Sequence, residues 1–323
     1  MEVLKTQGYA LALHGGAGTL LREQMSEEKE REHRQALASA ARSGEAVLAA
    51  GGSALDAVVA ATRVLEDSPL FNAGKGAVYT NAGDHELDAS LMEGASRKAG
   101  AVCALRHIAN PITLCREVME SEFVMLNGEG AEQFATEKGF ELVENTYFDT
   151  AFRFEQLEEA RASGRVQLDH SDGQTDNRHK YGTVGVVARD RDGHLAAATS
   201  TGGMTNKQYS RIGDSALIGS GTWADDRSCA ISATGYGEYF IRSGFAARIA
   251  SMVEYGKLDL NSACLTMLND EVLPLGGDGG LVAIDKDGNL DLSFNSAGMY
   301  RAWVIEGEPV TTAIFKDDAY AHG

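Results

Sequence analysis

A threonine sits where a polar, glycine-bearing loop gives way to a β-branched run, in "HKYGTVGVVARD", residues 179–190. Thr183 follows Gly182 directly. Threonine is common at strand starts, where it packs or makes a local hydrogen bond. The junction also suits a different chemistry. If the chain were cut before Thr183, one residue would carry a hydroxyl nucleophile and an α-amine able to act as its base. An α-amine has a pKa of ~8 and accepts a proton at modest cost near neutral pH. A hydroxyl by itself is a poor nucleophile and needs such a neighbour. The glycine before it permits backbone shapes closed to other residues, and the strand after it would hold the new terminus in place.

Other residues suit the substrate end of such a reaction. Arg211 and Asp214, three apart around Gly213 in "RIGDS", could meet a carboxylate and an ammonium if that segment turns. Thr234 and Gly235, in "ATGYG", stand where a strand gives way to a helix, and a hydroxyl and a backbone N–H there are suitable donors to an oxyanion. Taken alone, Arg211 and Asp214 read as a surface pair, Thr234 as a helix cap, and Thr201 in "STGGMTN" as a turn residue. His14 precedes a glycine turn and is read as structural, because the threonine chemistry already contains its base. His85 and His107 lack ligand-like partners in the sequence. No Gly-Lys-Ser/Thr follows "HGGAG", so its glycines are not a phosphate-binding loop.

The elements that must position these residues follow from pattern. Residues 9–13 read as a buried strand running into a turn at Gly15, Gly16 and Gly18. Residues 26–50 read as a long helix with acidic residues in its first turn, stopped by Gly51–Gly52. Ser53, with Asp56 three residues on, caps a second helix that ends at Ser68–Pro69. The stretch from Leu70 to Gly94 has little periodicity and reads as hairpin and loop near a site. "AGAVCALRH" is a strand, Asn110–Pro111 opens a helix, and further helices run over 130–138 and from Ala151 to Gly164. Residues 166–182 are polar and turn-rich, a mobile linker. Hairpins form around Asp192–Gly193 and Asp287–Gly288. "CAISATG" is a strand, followed by a long helix over roughly 238–254 and another in "LNSACLTMLNDEV". Helices flanking buried sheet give an α/β layered structure.

Composition limits the partners. The 323 residues carry 29 Lys+Arg against 47 Asp+Glu, a formal charge of -18, which repels phosphate backbones and anionic lipid. No nucleic-acid or membrane partner is expected. Cys103, Cys115, Cys229 and Cys264 make neither a CxxC pair nor a disulfide framework, and no signal peptide is seen, so the expected compartment is the cytoplasm.

Ten motifs occur in one order: "HGGAG", "PLFNAGKGAV", "HELDASLMEG", "NPI", "VMLNGEGA", "YGTVG", "ATSTGGMTNK", "RIGDS", "ATGYGE" and "FNSAGMYRAW". Together they resemble the plant-type L-asparaginase and isoaspartyl aminopeptidase family of N-terminal-nucleophile hydrolases, its bacterial isoaspartyl peptidase branch above all, from about residue 9 to 310. The resemblance implies a four-layered αββα sandwich. It implies one catalytic domain over 1–323 that cuts itself between Gly182 and Thr183 into an α chain, 1–182, and a β chain, 183–323, assembled as (αβ)2. It implies hydrolysis of β-aspartyl dipeptides, and of L-asparagine to aspartate and ammonia, with no cofactor for the chemistry. By position, Thr183 resembles the nucleophile and Thr201 the threonine bonded to its hydroxyl. Thr234 and Gly235 resemble the oxyanion donors, and Asn72 the residue that supports self-cleavage. Arg211, Asp214 and Gly237 resemble the groups that grip the substrate's α-carboxylate and α-amine. The loop 65–75 resembles one whose backbone carbonyls, here those of Leu65, Glu66, Ser68, Phe71, Ala73 and Lys75, hold a structural sodium ion.

The chain departs from the family's pattern at "QYS", residues 208–210, at Tyr236 and at Phe123. Tyr209 and Tyr236 are expected to reshape the pocket's leaving-group side. A glycosylasparaginase commonly has aspartate before its threonine, where this chain has Gly182. A scaffold of the same fold with a dead site conflicts with the intact residue set, and a taspase-like protease with the lack of a long insertion or basic tail.

Overall fold

The computed structural model describes residues 4–162 and 182–318; the expected linker, but for Gly182, lies outside them. The chain enters the sheet at once with β1 (Ala10–Gly18). The turn expected at its glycines is instead a bulge inside this strand, where the register shifts between His14 and Ala17. Gly16 takes φ +108° there, a conformation glycine reaches without steric cost. Two helices follow, α1 (Glu27–Ala49) and α2 (Ala54–Glu66). Ser26 caps the first by accepting from the Lys29 N–H, and Ser53 caps the second by accepting from the Asp56 N–H, 3.1 Å.

The stretch expected to be hairpin and loop contains β2 (Leu87–Glu93), a fully integrated strand that pairs antiparallel with β3 (Ala99–Leu105). Its polar Asp88 and Ser90 are buried and hydrogen-bonded, which is why it lacks a strand's usual alternation. Then come α3 (Pro111–Met119), the short edge strand β4 (Met125–Asn127), α4 (Gly128–Glu137) and α5 (Ala151–Ala162). After Thr183, the hairpin β5 (Val184–Arg189) and β6 (Leu195–Thr201) forms as expected. β7 (Thr222–Ala224) and β8 (Cys229–Gly235) follow. The long helix expected next is two, α6 (Gly237–Ser243) and α7 (Phe245–Glu254), because Gly244 breaks it at φ +58°. The next expected helix starts as α8 (Leu260–Leu265) and loosens into a π-helical turn over 266–272. The chain closes with β9 (Gly279–Asp285), β10 (Leu290–Asp291), β11 (Gly298–Ile305) and β12 (Thr311–Phe315), the last two unassigned from sequence.

Among the described residues, eight strands form one sheet in the order β12-β11-β1-β5-β6-β2-β3-β4, and four form a second, β10-β9-β8-β7. Strand parity sorts the core into three layers. Leu11 and Leu13 of β1 and Val184 and Val186 of β5 face α1, α2 and α3. Ile231 and Ala233 of β8 face α7 and α8 on the other side. Ala12, Val187, Ala197, Ala230 and Val282 fill the space between the sheets. The result is the αββα sandwich that the resemblance implies.

Candidate active site

The intersheet layer changes character along its length. Val187 is the apolar part of β5's inward row; two residues back is Gly185, and two further is Thr183. β6 likewise goes from Ala197 to Thr199 and Thr201, and β8 from Ala230 to Ser232 and Thr234. Period-two alternation therefore carries three threonines, 183, 201 and 234, to the same end of the sandwich.

There the Thr183 hydroxyl donates to Thr201 Oγ1 at 3.1 Å and lies 3.3 Å from Ser215 Oγ. Thr201 Oγ1 also accepts from the Gly203 N–H at 3.0 Å. Thr183, Thr201, Thr234 and Gly235 share one pocket with Gly182, Arg211 and Asp214, about 360 Å3 of empty space that includes its open mouth. The Thr234 hydroxyl is buried and has no hydrogen-bond partner among the described residues. Such a group is costly in an empty site and becomes useful once an acceptor arrives. The bulge at Gly16 lies directly on the backbone of Gly182, and a Cβ at Gly16 would collide with its nitrogen.

The charged end of the pocket is not a surface pair. Asp214 is buried, and burial raises its carboxyl to about 7 against the pull of Arg211; its Oδ2 has no hydrogen-bond partner among the described residues. Arg211 is held by Glu238 through two parallel bonds, Nε to Oε1 at 2.8 Å and Nη2 to Oε2 at 2.5 Å. Burial pushes Glu238 up, and Arg211 outweighs it and holds the carboxylate low. Glu238 has no role in the sequence reading, which missed this fork. Gly237 packs so closely that a Cβ there would touch Arg211 Nη2 and the Asp214 amide.

Tyr209 and Tyr236 lie elsewhere than expected, whereas Asn72 and His14 lie beside the threonines. Asn72 is bonded to the turn after Thr201, donating to the Gly203 carbonyl at 2.7 Å and accepting from the Val78 N–H at 3.0 Å. Tyr209 points to solvent at 97% exposure and lines a neighbouring cavity with Asn81 and Arg106, so it does not form the rim of the Thr183 pocket. Tyr236 stacks edge-on against Tyr239 beside the pocket, and does not line it. His14 was read as structural; its Nδ1 lies 3.0 Å from the Thr183 carbonyl oxygen. Desolvation drives its pKa down to about 3, the bond to Thr183 opposing, so the ring is neutral.

Among the described residues no group of three His, Cys, Asp or Glu side chains could hold a metal ion, and no helix is long and apolar enough to cross a membrane. An αββα sandwich with a threonine at the head of a central strand, facing two more threonines across a pocket, defines a threonine-type hydrolase architecture. The comparisons agree: the asparaginase family model matches residues 7–314. An isoaspartyl peptidase of Salmonella typhimurium is 52% identical over 95% of this chain and 98% of its own length. One of Escherichia coli is 51% identical over 95% of this chain and 96% of its own. A probable isoaspartyl peptidase/L-asparaginase of Arabidopsis thaliana is 36% identical over 96% of this chain. This chain belongs to the asparaginase family.

Proposed function

We propose that this protein is an autoprocessed threonine hydrolase that cleaves β-aspartyl dipeptides and hydrolyses L-asparagine. The observation that carries the reading is the Thr183 hydroxyl, bonded to Thr201 within a pocket that has on one side a Thr234 hydroxyl with no partner among the described residues, and Arg211 with Asp214 on another.

The chain first breaks between Gly182 and Thr183, giving residues 1–182 and 183–323 and freeing the Thr183 amine. Gly16 and Asn72 support this step, the one seated on the Gly182 backbone, the other bracing the turn beside Thr201. In turnover, Arg211 takes the substrate α-carboxylate and Asp214 its α-ammonium, with Gly237 leaving room at that end. An arriving ammonium draws the Asp214 proton off and pairs a carboxylate that is costly when buried alone. The Thr183 amine accepts the hydroxyl proton as Oγ1 attacks the side-chain carbonyl. Thr234 and the Gly235 N–H stabilise the oxyanion. The amine returns its proton to the departing ammonia or amino acid, and water then cleaves the ester on Thr183.

A structural sodium ion fits the loop 65–75 by its donors. The helix α2 ends there, its last carbonyls carrying partial negative charge, and Gly74 at φ +50° folds back onto the Glu66 carbonyl. The carbonyls of Leu65, Glu66, Ser68, Phe71, Ala73 and Lys75 would hold it, and it would fix the loop that bears Asn72. We propose (αβ)2 assembly and a cytoplasmic location by the same resemblance.

The deciding experiment is intact mass with turnover. Wild type should give two fragments cut before Thr183 and should hydrolyse β-Asp-Leu; Thr183→Ala should stay whole and inactive. A Thr183→Ala protein that still cuts itself and turns over refutes the mechanism.

A further inference from the structure

Behind Thr183 the intersheet layer holds a file of buried polar groups that the reaction above does not use. It starts at His14, whose Nδ1 meets the Thr183 carbonyl at 3.0 Å and whose Nε2 lies 3.1 Å from Ser232 Oγ. Ser232 Oγ lies 2.7 Å from Thr199 Oγ1, which lies 2.5 Å from Thr222 Oγ1. Thr222 is 2.7 Å from Ser90 Oγ, and Ser90 is 2.6 Å from the Ser215 carbonyl. His14, Ser232, Thr199, Thr222 and Ser90 are all fully buried. The file thus joins the carbonyl of Thr183 to Ser215, whose own hydroxyl touches Thr183 Oγ1.

Proton counting fixes the direction of the bonds. A carbonyl only accepts, so Nδ1 must carry a proton. A neutral ring then leaves Nε2 as an acceptor, and Ser232 must donate to it. Thr199 donates to Ser232, and Thr222 to Thr199. Ser90 has one proton for two neighbours, Thr222 Oγ1 and the Ser215 carbonyl. Six contacts share five protons, and the Gly221 carbonyl, 3.3 Å from Thr199, adds one more acceptor. The arrangement is tight as well as ordered: a Cβ on Gly185 would collide with both Ser232 Oγ and His14 Nε2, so the fold keeps a glycine two residues after Thr183 where the ring and the serine meet.

We propose that His14 is a positioning residue for the Thr183 nucleophile, locked as the Nδ1–H tautomer by Ser232 at the head of a buried hydroxyl file that has fewer protons than contacts. The inference rests on the threonine mechanism proposed above. His14 fixes the carbonyl of the residue whose amine and hydroxyl react, and so the angle at which the hydroxyl is presented. Ser232 acts only through His14.

Neutron diffraction on deuterium-exchanged wild-type crystals reads the tautomer without any substrate. The expected map has a deuteron on His14 Nδ1, none on Nε2, and the Ser232 deuteron pointing at Nε2. A deuteron on Nε2 overturns the proposal. Kinetics read the positioning. In Ser232→Ala, kcat per cleaved site on β-Asp-Leu should fall about tenfold while KM stays within twofold, and Gly185→Ala, which crowds the same meeting point, should show the same split. Unchanged kcat in the folded variants, or a loss confined to KM, overturns it. Thr222→Val removes one proton and two contacts, so each of the four contacts left in the file has a donor, and the variant should melt no lower than wild type; if either kinetic variant fails to fold, the neutron map still decides. If wild type itself has no Thr183-dependent turnover, the proposed function fails, and the map still reports the tautomer.

Discussion

At the scale of residues, two groups of the pocket have hydrogen-bonding capacity that a ligand can take up. The Thr234 hydroxyl is buried, with no partner among the described residues. Thr234→Val keeps its shape and removes its proton, so kcat should drop about 10²–10³-fold, the cost of one oxyanion donor, with KM little changed in steady-state assays. Asp214 is the other such group. Its carboxyl is raised to about 7 in the empty site by burial, and a bound ammonium favours the ionised form. Below about pH 7 the ligand must therefore displace a proton. Calorimetric titration with L-aspartate, the product of the proposed reaction, should show affinity falling as pH drops through about 7. Asp214→Asn should bind weakly and lose that dependence.

At the scale of elements, Glu66 at the end of α2 is the clearest test. It accepts from Ser200 Oγ at 2.7 Å and from the Ile112 N–H at 3.1 Å, and burial raises it to about 8. A carboxyl raised above its unfolded value of ~4.5 holds its proton in the native state, so its stabilising share is full below about pH 4.5 and is lost as pH rises through about 8. Glu66→Gln should melt like wild type at pH 5 and above it at pH 8.5. The elements were unevenly legible. The cap at Ser53 and the hairpin after Thr183 follow from local chemistry, and both form. β2 was hidden because Asp88 and Ser90 place polar atoms in a buried strand, which only partners distant in sequence make tolerable: Ser215 and Thr222 for Ser90, and the Ala104 N–H for Asp88. His14 and Glu238 were legible as residue types, but their roles depend on which strand lies beside which. Thr183 is legible from its junction, and Thr201 and Thr234 through motif resemblance; the meeting of all three needs the two sheets to face each other.

At the scale of the molecule, the proposed cut does not divide the fold. Of the residues before Gly182, β1 lies between β5 and β11, and β2 lies against β6. The two pieces share one sheet, so they should co-elute at the size of the intact protein and separate only in denaturant, as gel filtration with and without urea would show.

That interleaving also sets a clock on biosynthesis. β1 carries His14 and the Gly16 seat of the proposed scissile junction, yet one of its two neighbours is β11, residues 298–305, which the ribosome makes long after Thr183. Pairings this distant in sequence form late. The cradle of the proposed cut is thus incomplete until β11 has been made, and the order of the strands would keep a self-severing chain whole until then.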